Sequence, residues 1–385
     1  MRLSNEEAQK LIHTLRSGTS PLYQSNAFIC GREKELDEYH HCLKLLDKGN
    51  GLVKLITGQY GMGKSLLVNA FKQIALNEDF IVSSFQINNG FRLNKIEDLY
   101  YAIMHNLTLK DNRYAKSSFE DIFELWVENL QGAPYADRKR YEVNTVCQEL
   151  SRYNMNFARA FLTFMRGRIQ RNQEMTNVAS AWLTGEHHIP FELKQKYNLS
   201  GAVDKTSTLD FLKAFVKLIT LLDYKGLVVF IDEIDLVLGD RSDFRQNAYN
   251  NLKHLIDMTS TGEMTKIMFV FSGTDQILTN TEKGILSNTP LAQRLNFDSV
   301  EALEQNSTHQ TIMPLSSLNA NELIELTRRI VRIYRQNAPL PETLDDLSLY
   351  AQIVKSINES TFATRTYVTK LIERLDYASN FIEGK

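Results

Sequence analysis

The chain is poor in cysteine and proline, and it has no long hydrophobic run. Its three cysteines, Cys30, Cys42 and Cys147, are widely spaced and form no CxxC or Cys/His pattern, so neither a disulfide framework nor a zinc site is predicted. No apolar run approaches the roughly 18 residues that span a bilayer, and residues 1–8 lack the apolar core of a signal peptide. We therefore expect a cytoplasmic protein that makes no membrane contact.

An excess of charge of either sign is also lacking. The 44 basic and 46 acidic residues give a formal net charge of −2, so no global field draws the chain to nucleic acid or to an anionic membrane. Contact with DNA or RNA would have to be local. The basic clusters at residues 138–140, 166–171 and 328–332 are candidates for it, although such clusters are more often solvated faces.

Hydrophobic periodicity is the first positive signal in the sequence. Short β-prone runs alternate with segments whose apolar residues recur every three or four positions. This alternation predicts an α/β fold with a central parallel sheet flanked by helices. The predicted strands are residues 52–57, 80–87, 227–231 and 267–271.

At 385 residues, the chain exceeds the size at which a single hydrophobic core usually stops growing. The pattern is mostly helical between about residues 118 and 220, and the predicted strands stop after Pro314. A polar leader with one amphipathic stretch, Glu6 to Leu15, precedes the first core helix. The expected parts are an N-terminal arm (1–28), a split α/β core (29–117 and 221–312), a helical insertion (118–220) and a helical lid (313–385).

A glycine-rich segment between the first predicted strand and the helix after it matches the pattern GxxxxGK[ST]. Its glycines let backbone N–H groups point at phosphate oxygens, at a helix N-terminus that favours an anion. Lys64 would bridge the β- and γ-phosphates, and the Ser65 hydroxyl would bind Mg²⁺. The sequence therefore predicts ATP and Mg²⁺ as ligands. The predicted nucleotide-binding residues here are Gly58, Gln59, Tyr60, Gly61, Met62, Gly63, Lys64, Ser65 and Leu66.

Two acids follow the apolar run 227–231 directly. A phosphate loop needs a carboxylate at the end of a neighbouring strand to hold magnesium through its water shell, and Asp232 supplies one. The next residue, Glu233, can orient and deprotonate the attacking water. The pair therefore predicts a metal holder and a general base, and with them hydrolysis of the nucleotide.

Polar residues end the last predicted strand, and four arginines are further candidates. Ser272 and Thr274 can touch the γ-phosphate or the attacking water, although a simple strand-end turn explains them equally well. Arg365 precedes the final helix, from where a lid could place it over the phosphates. Three arginines compete for the role of a finger on a neighbouring subunit's nucleotide: Arg294, Arg241 and Arg245.

These residues, in this order, resemble the AAA+ ATPases of the Orc/Cdc6-like branch. Gly31-Arg32-Glu33 looks like the GRE box of that group, which implies that Arg32 and Glu33 lie near the adenine. The sequence more closely resembles BrxD-like ATPases of bacterial phage-exclusion (BREX) loci. That resemblance is based on the leader 15–21 and on Trp182-Leu-Thr-Gly-Glu186 in the insertion. The segment Tyr224 to Leu227 and the residues Arg245, Tyr249 and Leu252 extend that resemblance.

The resemblance implies an ATP-driven switch or motor subunit of an antiphage system, with a homo-oligomer and defence-system proteins as partners. Two other functions stay open: a nucleotide-gated scaffold with little turnover, and an ATP-dependent DNA loader. In this sequence Thr364 stands where the family pattern has proline, and little chain follows Arg365. The winged helix of Orc/Cdc6 proteins is therefore not expected, nor is DNA binding by that route.

Overall fold

A computed structural model describes residues 3–21, 24–88, 90–110, 116–124, 126–128, 136–299, 309–357 and 363–383, with the backbone alone at 136–140 and 383. Six strands form one sheet in the order β3-β2-β4-β5-β1-β6. All neighbours are parallel except β2 and β3, which are antiparallel. The strands are β1 (Leu52–Thr57), β2 (Ile81–Gln86), β3 (Leu107–Thr108), β4 (Leu227–Asp232), β5 (Ile267–Gly273) and β6 (Ile312–Pro314).

Helices cover both faces of this sheet, because the central strands are apolar on both sides. Along β4, Val228 and Phe230 join one buried cluster, whereas Val229 and Ile231 join another. Successive side chains of a strand point to opposite faces, so a continuous apolar run suits a strand that is covered twice. The predicted α/β class, with a parallel sheet flanked by helices, is confirmed.

By their position in the chain, the α-helices of the described residues lie in the predicted arm, core, insertion and lid segments. Four of the 3-10 turns that connect them are at Ser25–Ala27, Glu120–Phe123, Ile234–Gly239 and Ile285–Ser287. The helices are α1 (Asn5–Arg16), α2 (Glu33–Asp47), α3 (Lys64–Asn77), α4 (Glu97–Met104), α5 (Ala136–Ser151), α6 (Met155–Gln170), α7 (Gln173–Leu183), α8 (Phe191–Lys196), α9 (Thr208–Leu221), α10 (Ser242–Ser260), α11 (Gln276–Thr279), α12 (Thr289–Arg294), α13 (Ala320–Tyr334), α14 (Asp346–Ser356) and α15 (Thr364–Glu383).

The four predicted strands are all present, but three elements were missed. Strands β3 and β6 have two and three residues, too few for a periodic signal. Helix α14 lies within the expected helical lid, but it was not predicted as a separate helix. Only two of its residues, Leu349 and Ile353, are buried, so its apolar stripe is too narrow to stand out in the sequence.

The N-terminal helix packs on the lid rather than standing alone. On α1, Ala8, Leu11, Ile12 and Leu15 are buried in a third apolar cluster, together with residues of α13, α14 and α15. The aromatic side chains of the insertion instead extend the cluster on one face of the sheet. In the part of the chain that the structure describes, no helix is both long enough and apolar enough to cross a membrane.

Candidate nucleotide-binding site

The polar ends of three parallel strands meet at one edge of the sheet. Strand β5 lies between β1, which precedes the glycine-rich loop, and β4, which ends in Asp232. The prediction that Asp232 ends the strand neighbouring the loop's strand is therefore wrong by one strand. Because β5 lies between β1 and β4, Ser272 and Thr274 at the end of β5 lie between the glycine-rich loop and the two acids.

The loop after β1 turns back on itself through residues with positive φ. Gly61 has φ +80° and Gly63 has φ +94°, in the left-handed region that glycine adopts without strain. A Cβ on Gly61 would lie 2.8 Å from the Cβ of Ala363, so the close approach of the lid also requires glycine there. Helix α3 begins at Lys64, which leaves its N-terminal N–H groups facing the loop.

Lys64 holds its ammonium group inside the loop. Its Nζ donates to the carbonyl oxygens of Gly58 at 2.6 Å and Gln59 at 2.9 Å. Burial lowers the pKa of Lys64, while the carboxylates of Asp235 and Asp232 oppose that shift. The lysine is thus a partly desolvated cation held by weak neutral acceptors, which an anionic phosphate can replace.

Asp232 is oriented by two hydrogen bonds to the same oxygen. Its Oδ1 accepts from the Ser272 hydroxyl at 2.6 Å and from the Glu233 N–H at 2.9 Å. The cavity in front of it also contains the Ser65 hydroxyl. Among the residues with described positions, no three His, Cys, Asp or Glu side chains could enclose a metal. One carboxylate and one hydroxyl fit Mg²⁺, which keeps several waters and shares substrate phosphates.

Glu233 stands at the end of β4 in a strained backbone conformation. Its φ is +62°, which is uncommon for a residue other than glycine and is found at functional sites. Burial raises the pKa of its carboxyl, and the negative charges of Asp232 and Asp235 raise it further. Glu233 therefore faces the cavity as a carboxylate that takes up a proton more readily than an ordinary glutamate.

Thr274 and Asp235 complete the strand-end wall of the cavity. The Thr274 N–H donates to Asp235 Oδ1 at 2.8 Å, which ties the segment after β4 to the end of β5. The Thr274 hydroxyl is buried and has no hydrogen-bond partner within the described residues. A buried hydroxyl of this kind is suited to a water or a phosphate oxygen.

The lid supplies the facing wall. Arg365, at the start of α15, lines the cavity, and its N–H donates to the Gly61 carbonyl at 3.0 Å. The cavity has a volume of about 290 Å³, near the lower limit for small-ligand sites. Its lining residues are Leu15, Gly18, Thr19, Ser20, Pro21, Tyr60, Gly61, Gly63, Lys64, Ser65, Leu66, Asp232, Glu233, Asp235, Gly273, Thr274, Thr364, Arg365 and Val368.

The predicted adenine-side residues lie outside this cavity. Arg32 is buried and donates to the carbonyl oxygens of Met62 at 3.1 Å and Ser316 at 2.7 Å, so it braces the glycine-rich loop against the segment after β6. Arg32, Met62 and Leu66 line a small separate cavity of about 30 Å³. Glu33 is exposed at the first turn of α2 and lines neither cavity.

None of the three finger candidates lines the cavity of its own chain. Arg294 is paired with Asp257, and 55% of its side chain is exposed. Arg241 is exposed beside Asp243, whereas Arg245 is buried and donates to the Asp240 carbonyl. A role on a neighbouring subunit stays a prediction for each of them.

Two parts of the site were missed in the sequence. Asp235 is the third acid within the four residues 232–235 at the end of β4, and that clustering was the available signal. The leader residues Gly18 to Pro21 form a wall of the cavity, and nothing in their own composition indicates it. Their position follows from the packing of α1 on the lid.

Comparison with known proteins gives one family and several remote structures. The model of a family described as "BREX system ATP-binding protein BrxC/D" matches residues 3–383. No curated protein sequence matches the chain.

The remote structures include the Aeropyrum pernix ORC2 protein in its ADPNP-ADP complexes, with 13% identity and a TM-score of 0.44 over 92% of this chain and 64% of that one. The ADP form of the same protein gives 13% identity and a TM-score of 0.41 over the same shares of the two chains. Domain III of the Thermotoga maritima replication initiation protein DnaA gives 12% identity and a TM-score of 0.38, over 95% of this chain and 92% of that one. The chain thus spans less than two thirds of the ORC2 protein.

Proposed function

The chain belongs to the BREX system ATP-binding protein BrxC/D family, and we propose that it hydrolyses ATP with Mg²⁺ as an AAA+ switch of an antiphage system. The observation that carries the proposal is the composition of one cavity. Lys64, Ser65, Asp232, Glu233 and Arg365 all line it, although they come from three distant parts of the sequence. These are the groups that hydrolysis of a nucleotide requires.

Each of these side chains has a definite task in the proposed reaction. Lys64 would exchange the carbonyl oxygens of Gly58 and Gln59 for the β- and γ-phosphate oxygens. Magnesium, bound by the Ser65 hydroxyl and through water by Asp232, would neutralise charge on those phosphates. Ser272 keeps the Asp232 carboxylate turned toward the cavity.

The attacking water would be activated by Glu233. Its carboxylate lies at the cavity wall. Its pKa is raised toward neutral pH, which makes it a better proton acceptor than an ordinary glutamate. The unpartnered Thr274 hydroxyl would donate to that water or to a γ-phosphate oxygen. Arg365 would add positive charge from the lid side, where charge develops during the reaction.

Phosphate release with and without chelated magnesium tests this proposal. We expect release from ATP by the unmodified chain in Mg²⁺ and none in excess EDTA. Asp232→Asn should abolish the magnesium-dependent release, whereas the exposed Asp37→Asn should leave it unchanged. Release by Asp232→Asn at the unmodified rate would contradict the proposed metal site. Stoichiometric ATP binding without release would instead favour a nucleotide-gated scaffold.

Nucleotide state would then control association with other copies and with defence-system partners. An arginine finger reaches the nucleotide of a neighbouring subunit, and Arg294 is exposed enough to do so once Asp257 releases it. Measured mass should increase with ATP and return to the monomer value with ADP. An unchanged mass in both states would contradict this part of the proposal.

A second candidate function, ATP-dependent DNA binding, is favoured by one stretch of the insertion. Residues 151–173 contain five arginines and no aspartate or glutamate. Of these, Arg159, Arg166 and Arg171 are exposed and have no ion pair within the described residues. Arg159 and Arg166 are seven residues apart on α6, so they lie on one face of the helix, about 10 Å apart along its axis. An acid-free row of arginines suits the phosphates of DNA.

The other two basic clusters are less suited to bind DNA phosphates. In the cluster 328–332, Arg328 pairs with Glu325 and Asp346, and Arg329 also pairs with Glu325. The side chains of residues 138–140 lie outside those that the structure describes.

Anisotropy titration of duplex DNA with ATP present tests the second candidate. Replacing both Arg159 and Arg166 by Gln should weaken binding about tenfold or more and flatten its dependence on salt. Replacing two exposed cations elsewhere, Lys48 and Arg374, should have much less effect. Equal loss in both double variants would contradict a local DNA surface on α6.

A further inference from the structure

The leader residues 17–21, here called the strap, cross from the lid to the core over the nucleotide cavity. Arg16, just before the strap, makes two 2.8 Å hydrogen bonds to the Asp376 carboxylate on lid helix α15. Asp376 also accepts from the Tyr334 hydroxyl of α13 at 2.7 Å. The start of the strap is therefore fixed to the lid.

The other end of the strap is fixed to the core. The Pro21 carbonyl accepts from the Asn69 side chain at 3.1 Å and from the Ser25 hydroxyl at 2.8 Å. Asn69 is buried on α3, five residues after Lys64. Both bonds end on a main-chain oxygen, so they fix the position of the strap whatever its side chains are.

Between these anchors, the strap faces the same space as the phosphate-binding groups. Gly18, Thr19, Ser20 and Pro21 line the cavity that also contains Lys64, Ser65, Asp232, Glu233 and Arg365. At about 290 Å³ the cavity is small for a nucleotide, so a ligand that fills it contacts every wall. Lys64 and Ser65 are the predicted phosphate and magnesium contacts, so their presence in the same cavity favours the phosphate end of the nucleotide as the part nearest the strap.

Ser20 is the strap residue best placed to bind. Its side chain is half-buried, and its hydroxyl makes no hydrogen bond to a described residue. The neighbouring Thr19 hydroxyl is already used, because it donates to the Thr14 carbonyl at 3.1 Å and ends helix α1. Gly18 has φ +69°, which turns the chain out of α1 toward the cavity.

We propose that the strap is part of the ATP site, in which Ser20 contacts the phosphate end of the bound nucleotide and the Arg16–Asp376 pair holds it there. The inference rests on ATP binding in this cavity, as set out under the proposed function. Because the strap joins the lid to the core, ATP bound in this site would affect the positions of α1 and the lid over the glycine-rich loop. Neither the GxxxxGK[ST] motif nor the acid pair Asp232-Glu233 predicts this contact of Ser20 with the nucleotide.

Charges placed at position 20 test the contact. Ser20→Asp would set a carboxylate against the phosphates and should weaken ATP binding at least tenfold, whereas Ser20→Lys should bind as tightly as the unmodified chain or more tightly. Gln9→Asp and Gln9→Lys place the same charges on the exposed side of α1, and we expect less than a twofold difference between them. Equal ATP affinity in the two Ser20 variants would overturn the proposal.

The Arg16–Asp376 ion pair is tested separately from the Ser20 contact. Arg16→Met removes the pair with Asp376 and should weaken ATP binding about threefold to tenfold. Lys10→Met, which breaks only an exposed pair with Glu6 on the same helix, should leave it unchanged. Identical affinities in these two variants would contradict the role of the anchor.

Hydrogen exchange gives a measurement that needs no substitution. In the unmodified chain, ATP should slow exchange in peptides that cover residues 15–21, and a peptide from the middle of α2 should not change. If ATP binds and the exchange of residues 15–21 is unaffected, the strap does not contact the nucleotide. If Lys64→Ala binds ATP as tightly as the unmodified chain, the site itself is wrongly placed, which is a different failure.

Discussion

The two sides of the cavity are built in different ways. The core wall, residues 58–66 and 232–235 with 272–274, follows strands whose apolar side chains are almost completely buried. The lid wall, residues 15–21 and 364–368, belongs to a separate apolar cluster, to which Leu66 of the core adds only a partly buried side chain. Across the seam, the Arg365 N–H and the Asn69 side chain make hydrogen bonds of 3.0 and 3.1 Å.

This difference separates the tasks of the two walls. Asp232, which must be held to within a fraction of an ångström, ends β4 and is paired there with Gln86 of β2. Glu233 follows it directly, so the sheet also fixes where its backbone begins. The lid wall packs in an apolar cluster that is largely separate from those of the sheet, so we expect its groups to be positioned less tightly. Substitutions in the core wall should therefore affect the chemical step most strongly, and those in the lid wall should affect it less.

After loss of the metal holder Asp232, the largest expected effect is that of Glu233→Gln in the core wall. Removing the general base while keeping the shape should lower turnover by about 10² to 10⁴-fold and leave the ATP dissociation constant within about threefold. Phosphate release and equilibrium binding, measured on the same preparation, check this. The exposed Glu282→Gln is the matched control. Unchanged turnover in Glu233→Gln would move the base to another residue.

Arg365→Ala in the lid wall should have a smaller effect. Loss of a cation that faces the phosphates should reduce turnover by about ten- to a hundredfold, with ATP affinity reduced no more than about tenfold. Arg374→Ala removes an exposed arginine from the same helix and should change neither value. A loss as great as that of Glu233→Gln would break the distinction between the two walls.

The pH dependence of turnover should report Glu233 in the core wall. Burial and the charges of Asp232 and Asp235 raise its pKa above the ordinary value of 4.5, so it becomes protonated, and inactive as a base, at a higher pH than a free glutamate. Turnover should therefore fall about tenfold per pH unit below that raised pKa and be level above it. A midpoint at or below 4.5 would contradict the assignment, and Glu233→Gln should lack this limb.

The smallest expected effect is that of Ser272→Ala. It removes the 2.6 Å hydrogen bond to Asp232 and leaves the carboxylate with the Glu233 N–H alone. We expect the Mg²⁺ concentration for half-maximal turnover to rise about threefold to tenfold. Ser272→Thr, which keeps a hydroxyl, should restore most of the difference. An unchanged magnesium requirement would mean that Asp232 does not need this partner.

The core wall could largely be predicted from the sequence, because its signals are local. The spacing of Gly58, Gly63 and Lys64 and the acids after an apolar run each lie within a few residues of one another. The order of the strands is not local, so the position of β5 between β1 and β4 could not be inferred, and Asp235 was overlooked.

The lid wall could be predicted only in part. Arg365 was proposed from its place before the last helix, but the strap was assigned to an arm. An amphipathic stretch such as Glu6 to Leu15 shows that a helix has an apolar partner, and it does not say which partner. The ion pair of Arg294 with Asp257 likewise depends on which side chains meet in three dimensions.

The most direct test of the whole account is calorimetric titration of ATP with Mg²⁺ into the unmodified chain and into Lys64→Ala. Lys64 lines the cavity together with residues of both the core wall and the lid wall. We expect one ATP per chain and an affinity at least about a hundredfold weaker in the variant, since a half-buried cation that contacts phosphate is lost. Equal affinities in the two proteins would show that ATP does not bind in this cavity.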